Sequence, residues 1–180
     1  MVRYRRHRLA GGSYFFTVNL KNRKLRWLTE QIDDLRSCYR HTKKQHPFEM
    51  NAVVILPDHL HCIWTLPPND SDYSTRWRLI KSAFTRRLKQ RGVRIRKNRH
   101  GENDLWQRRY WEHTIKDQDD FNRHVDYIHF NPVKHGYVDA AAKWPYSSFH
   151  RYVDQGILSS AWGASGIDFD EEGFGESQNP

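Results

Sequence analysis

The stretch Asn51–Leu66 reads NAVVILPDHLHCIWTL, and it decides the fold. An apolar run, Ala52-Val53-Val54-Ile55-Leu56, meets Pro57-Asp58 and resumes as His59-Leu60-His61-Cys62-Ile63-Trp64. The β-branched run predicts a strand, Pro-Asp a turn or kink, and the second half another strand. Side chains alternate across a sheet, so His59 and His61 share one face while Leu60, Cys62 and Trp64 share the other. Two imidazoles side by side on a rigid strand suit a divalent metal ion. A surface or hydrogen-bonded pair is the plainer alternative, and a third group is needed to decide between them.

Around this stretch the chain has 180 residues, enough for one domain with a real core, and its 7 Trp, 9 Tyr and 9 Phe give that core large side chains. The net charge of +9 hides an asymmetry. The last basic residue is Arg151, and six of the 21 acidic residues (Asp154, Asp168, Asp170, Glu171, Glu172, Glu176) lie beyond it. Residues 1–151 therefore carry 30 basic against 15 acidic side chains. An excess of that size favours a polyanionic partner, because each neutralised phosphate releases condensed counterions. The basic start Arg3-Tyr4-Arg5-Arg6-His7-Arg8 leads into no unbroken apolar segment, and no run approaches the roughly 20 apolar residues that span a bilayer. Cys38 and Cys62 are far apart and lack a Cys-x-x-Cys spacing, which argues against a disulfide framework or structural zinc. A reducing cytoplasm is the expected compartment, with no membrane partner.

In chain order, Tyr14-Phe15-Phe16-Thr17-Val18 predicts a first strand. Thr29 can cap a helix carrying Ile32, Leu35, Cys38 and Tyr39 to about Gln45, before Pro47. After the two central strands, Ser71 can cap a helix with Tyr73, Trp77, Ile80, Phe84 and Leu88 on one face and basic residues around it. Residues 91–103 form a basic loop, and Leu105-Trp106 with Tyr110-Trp111 to Ile115 predict a return to the sheet. A helix from about Asp117 to Phe130 follows. The expected division is one domain over 1–155 and an acidic, Gly/Ser-rich tail over 156–180. That tail is expected to be poorly ordered, and it either aids solubility or masks the basic surface.

The last long helix carries the second half of the chemistry. Asp120, His124, Tyr127 and Asn131 fall on one polar stripe beside the apolar stripe of Phe121, Val125 and Ile128. Asn131 precedes Pro132, which disfavours helical geometry and predicts that Asn131 sits at or just past the helix end. A helix cap for Asn131 and a core position for Tyr127 are the plain alternatives. Tyr110, Tyr137, Tyr146 and Tyr152 lie in strand, loop or terminal contexts and compete less well than Tyr127. His113 and His129 read as structural, while His124, one turn before Tyr127, is a possible accessory group.

Together these residues resemble a known family. His59-Leu60-His61 after an apolar strand, Leu105-Trp106-Gln107-Arg108-Arg109-Tyr110-Trp111-Glu112-His113, the run Asp126 to Gly136 (DYIHFNPVKHG) and Trp144-Pro145-Tyr146-Ser147-Ser148 are similar to the single-tyrosine HUH transposases. More narrowly they resemble the REP-associated tyrosine transposases of bacteria, over about Gly12 to Tyr152. Mobile insertion-sequence relatives usually carry Gln four residues after the tyrosine, where this chain has Asn131, as in the REP-associated group.

The resemblance implies an α+β, ferredoxin-like or RRM-like single domain, with an antiparallel sheet of four to five strands and helices packed on it. It implies that His59 and His61 bind one Mg²⁺ or Mn²⁺, that Asn131 completes the protein ligands, and that Tyr127 is the nucleophile. The expected reaction is cleavage and transfer of single-stranded DNA at REP-like hairpins through a covalent 5′-phosphotyrosine. Arg3, Arg5, Arg6, Arg8, Arg86, Arg87, Arg94 and Arg96 are the candidate DNA contacts, and the expected setting is the bacterial nucleoid. The family includes monomers and homodimers. A metal-dependent phosphoesterase and a non-catalytic nucleic-acid-binding module are the rival readings.

Overall fold

The computed structural model describes residues 8–163 and Phe174, so Arg3, Arg5, Arg6 and most of the acidic tail lie outside the described residues. The elements run β1 (Ser13–Asn19), α1 (Trp27–Glu30), α2 (Ile32–Gln45), β2 (Glu49–Ile55), β3 (His59–Thr65), α3 (Tyr73–Gln90), β4 (Trp111–Thr114), α4 (Gln118–Lys134), a 3-10 turn (Ala141–Lys143) and α5 (Phe149–Asp154). Four strands form one sheet in the order β2-β3-β1-β4, and every neighbouring pair is antiparallel. This is the ferredoxin-like arrangement, with the two most buried strands, β3 and β1, at its centre.

Alternation divides the core in two. Tyr14, Phe16, Val18, Leu60, Cys62 and Trp64 point to the side of α2 and α3, where they meet Leu35, Cys38, Tyr73, Trp77, Ile80 and Phe84. Trp64 stacks on Trp77 with ring centres 4.3 Å apart. Phe15, Ala52, Val54 and Ile63 point the other way, against Val125, Tyr127 and Ile128 of α4 and against Trp144. The histidines expected to share a face do so, and they stand on the α4 side.

The motif 144–148 closes the sheet at β2. Ile55 N–H donates to Tyr146 O at 2.8 Å, Ser148 N–H to Val53 O at 2.8 Å, and the Trp144 indole to Ile55 O at 3.0 Å. An open strand edge is thereby paired. The Ser148 hydroxyl accepts from Val53 N–H at 2.9 Å and bonds His129 Nε2 at 2.9 Å, so His129 serves the fold, as expected. Both cysteines are free and buried, and among the described residues no helix is long and apolar enough to cross a membrane.

Several boundaries differ from the sequence expectation. Thr29 caps no long helix: its hydroxyl donates to Arg26 O at 3.1 Å inside the single turn of α1, and α2 begins afresh after Gln31. Asp72, not Ser71, caps α3, accepting from Thr75 N–H at 3.0 Å. Leu105-Trp106 contributes only a bridge to Leu20, and the regular strand is limited to Trp111–Thr114.

The largest difference lies in α4, which runs through Asn131 and Pro132 to Lys134. Pro132 removes one backbone donor, but the ladder resumes with His135 N–H to Asn131 O at 3.0 Å. The stop is set by Gly136, whose φ of 68° suits glycine, and by Tyr137 N–H donating to Pro132 O at 3.0 Å. The extra turn decides what stands near Tyr127.

Candidate active site

The site forms where the α4 side of β1 and β3 meets the second half of α4. His59 and His61 are 1% and 0% exposed, with ring centres 5.1 Å apart and planes at 86°. Each ring is fixed from behind. The His59 Nδ1–H donates to Asp58 Oδ1 at 2.8 Å, and the other Asp58 oxygen pairs with Arg23 Nε at 2.6 Å. Burial pushes the Asp58 carboxyl upward, but the bond from His59 and the charge of Arg23 outweigh it and hold the group below its usual range. The Thr17 hydroxyl donates to Phe174 O at 2.8 Å, so it accepts from His61 Nδ1–H at 2.8 Å. Both tautomers therefore put the ring lone pair on Nε2.

Two neutral imidazoles of that tautomer, one backed by a carboxylate, are a donor set that a divalent ion takes. The residues present fit the metal implied by the motif. Asn131, 0% exposed, lies on α4 one turn beyond Tyr127.

Tyr127 is 1% exposed, and its ring meets His61 edge to face at 5.4 Å. Phe15, next to Thr17's row on β1, touches both: its ring centre is 5.7 Å from His61 and 6.2 Å from Tyr127. Lys134, two turns further along α4, donates from Nζ to the Tyr127 hydroxyl at 3.2 Å and sits 4.9 Å from its ring centre. Phe174 lies flat on the Tyr127 ring, 3.7 Å away with planes at 5°. A residue of the acidic tail thus covers the phenol.

His124 lies across Phe15 from His61, at 4.7 Å from that ring, in a second cluster. His113 Nε2 donates to Asp120 Oδ2 at 2.7 Å, and the His113 and His124 rings stack at 4.7 Å. Ligand-type atoms of His113, Asp120 and His124 come within 4.8 Å of one another, the spacing of a possible metal site. The Asp120 oxygens, however, already accept from His113, from Lys116 N–H at 3.0 Å and from Arg123 at 2.8 Å. Burial raises the Asp120 carboxyl, and these bonds more than reverse the effect, leaving it well below the usual carboxylate range. As it stands the cluster is a hydrogen-bonded tie between β4 and α4. His124 Nδ1–H donates to Asp120 O at 2.7 Å, and burial lowers the ring to about 4.

The basic candidates are scattered. Arg8, Arg94 and Arg96 are exposed. Arg87 is committed to Asp34 at 3.3 Å and to Ser37 at 3.0 Å. Arg86 lines a cavity of about 750 Å³ with Lys21, Lys81, Lys89 and Arg108, where burial pushes Lys81 down to about 8. Trp111, 40% exposed, pairs with Thr17 and so faces the same side as His61.

Sequence reasoning missed Asp58, Thr17, Lys134, His135 and Phe174. Asp58 directly precedes the His pair and was legible as a partner. Lys134 is seven residues past Tyr127, and only the expected stop at Pro132 hid it. His135, whose ring is 5.1 Å from His59, was hidden for the same reason.

A histidine pair on a central strand thus faces a helical tyrosine within one chain. The family of IS200-like transposases matches residues 10–131. The chain is 46% identical over 169 residues to the REP-associated tyrosine transposase of Escherichia coli, covering 94% of this chain and 95% of that one. It is 47% identical over 167 residues to a counterpart from Haemophilus influenzae, covering 92% and 95%. A solved structure of a REP-associated tyrosine transposase bound to a REP hairpin matches with a TM-score of 0.82 at 45% identity, covering 94% of this chain and 96% of that one. The chain belongs to the REP-associated tyrosine transposases, within the metal-dependent IS200-like transposase family.

Proposed function

We propose that this chain cleaves and rejoins single-stranded DNA at REP-type hairpins, with Tyr127 as the nucleophile and a 5′-phosphotyrosine as the intermediate. The observation that carries the reading is the meeting of Tyr127 with His61 inside one chain, 5.4 Å between ring centres. The REP hairpin in the related structure supports the choice of substrate.

His59, His61 and Asn131 would hold Mg²⁺ or Mn²⁺, which when bound acts as a Lewis acid on a non-bridging phosphate oxygen. Asp58 and Thr17 keep the imidazoles in the ligating tautomer. Tyr127 supplies the attacking oxygen: its bond to phosphorus forms as the phosphorus–O3′ bond breaks, leaving a free 3′-hydroxyl. The phosphoester is retained on the tyrosine, so the 3′-hydroxyl can attack it and rejoin the strand. Flexible single strands reach such a buried phenol without duplex distortion, and Trp111 offers an exposed ring for a base to stack on. Because Tyr127 serves its own histidines, a monomer suffices. The substrate places the protein at the bacterial nucleoid, in the cytoplasm.

Incubation with labelled hairpin DNA in Mn²⁺ or in EDTA, followed by denaturing electrophoresis, tests the reading. A protein–DNA adduct formed only with metal is expected. Metal-dependent cleavage without an adduct would make the chain a phosphoesterase, and binding without cleavage a recognition module.

A further inference from the structure

Resting on that reading, we propose that Lys134 is a catalytic residue whose ammonium grips a non-bridging oxygen of the scissile phosphate at the attacking hydroxyl. Its Nζ lies 3.2 Å from the Tyr127 hydroxyl and 4.9 Å from the ring centre. In-line attack brings the phosphorus to about 3–3.5 Å from the attacking oxygen, so the equatorial oxygens pass within hydrogen-bonding range of a cation already at that oxygen. Lysine and arginine clamps on a transferring phosphoryl group act on charge that grows in the transition state.

The continuation of α4 through Pro132 makes this possible. Tyr127, Asn131 and Lys134 rise on one stripe of a single helix, at intervals of four and three residues. Had the helix ended at Phe130, the lysine would have no fixed relation to the phenol. A lysine in a last helical turn also suits the helix dipole. The dipole does not account for the direction of this one, whose half-buried chain carries Nζ to the tyrosine oxygen.

The bond changes are those of the cleavage step. A phenolic lone pair forms the oxygen–phosphorus bond, the phosphorus–O3′ pair departs on O3′, the phenolic proton leaves to solvent and O3′ takes one up. Lys134 stays protonated and balances the extra negative charge of the five-coordinate phosphorus in cleavage and in rejoining alike.

Single-turnover adduct formation on labelled hairpin DNA in Mn²⁺ is measured for the wild type, Lys134→Met and Lys134→Arg, with hairpin affinity measured separately. Lys134→Met is expected to slow adduct formation about 100-fold, with affinity within about threefold, and Lys134→Arg to recover at least about tenfold of that loss. A substrate with a neutral methylphosphonate at the scissile position removes the gripped charge, and on it wild type and Lys134→Met should react within about threefold of each other. Adduct formation by Lys134→Met at the wild-type rate on normal DNA overturns the role of Lys134 alone. So does an undiminished difference on the methylphosphonate. Absence of any adduct from the wild type overturns the phosphotyrosine reading and this proposal with it.

Discussion

The imidazole of His61 and the phenol of Tyr127 belong to one chain and meet edge to face, ring centres 5.4 Å apart. Strand β3 supplies one and helix α4 the other, and Phe15 packs against both. If this is the working site, no exchange of helices between subunits is required. Mixing Tyr127→Phe with His61→Ala, each inactive alone, is expected to restore no cleavage of hairpin DNA. Recovery toward a quarter or more of wild-type activity would mean that the tyrosine acts on a partner's histidines.

Asp58 orients His59 through a 2.8 Å bond to Nδ1 and is itself held by Arg23 at 2.6 Å. Carboxylates behind ligating histidines typically contribute 10- to 100-fold in metal affinity. Asp58→Asn should therefore raise the Mn²⁺ concentration for half-maximal cleavage about 10-fold or more, while activity at saturating metal recovers in part. An unchanged Mn²⁺ requirement would remove Asp58 from the metal-binding apparatus.

Phe174 occupies the flat face of Tyr127 at 3.7 Å, and its carbonyl takes the Thr17 hydrogen bond. Any DNA that brings a phosphate to this phenol competes with that contact. Aromatic pairs contribute about 0.5–1.5 kcal/mol beyond burial, so Phe174→Ala is expected to speed adduct formation by about 2- to 10-fold at limiting DNA. A folded Phe174→Ala protein that reacts no faster, or more slowly, would show that the ring supports the site instead of covering it.

His124 links site and stability. Burial lowers its pKa from 6.5 to about 4, with the neighbouring His113 acting in the same direction and the bond to Asp120 O against it. The unfolded chain therefore takes up the proton first. This stability is fully present above about pH 6.5 and is lost as pH falls through about 4, a change on the order of 3 kcal/mol. Denaturant melts between pH 7 and pH 4 should show that slope, reduced in His124→Leu. A slope identical in the variant would assign the acid sensitivity to other groups.

Much of this was legible because alternation and helical periodicity are set locally. The run 51–66 displays its two strands, its turn and the shared face of its histidines, and Tyr73, Trp77, Ile80, Phe84 and Leu88 spell out α3. What failed was local punctuation overruled by packing. Pro132 reads as a stop, yet α4 is pinned to the sheet through Val125, Tyr127 and Ile128 just before it and runs on to Lys134, so that Asn131 and Lys134 share the stripe of Tyr127. Thr29 reads as a cap but spends its hydroxyl inside a shorter turn. Phe174 could not be read at all: it is one apolar residue in an acidic, glycine-rich segment, and its place on Tyr127 depends on long-range packing that leaves no periodic trace.

The covalent bond itself is the most direct test. Wild-type protein incubated with hairpin DNA and Mn²⁺, digested with nuclease and protease and read by mass spectrometry, should carry a 5′-nucleotide phosphate on Tyr127. Tyr127→Phe should bind the hairpin normally and yield no adduct. A nucleotide found on another side chain, or adduct formation undiminished in Tyr127→Phe, would contradict the account.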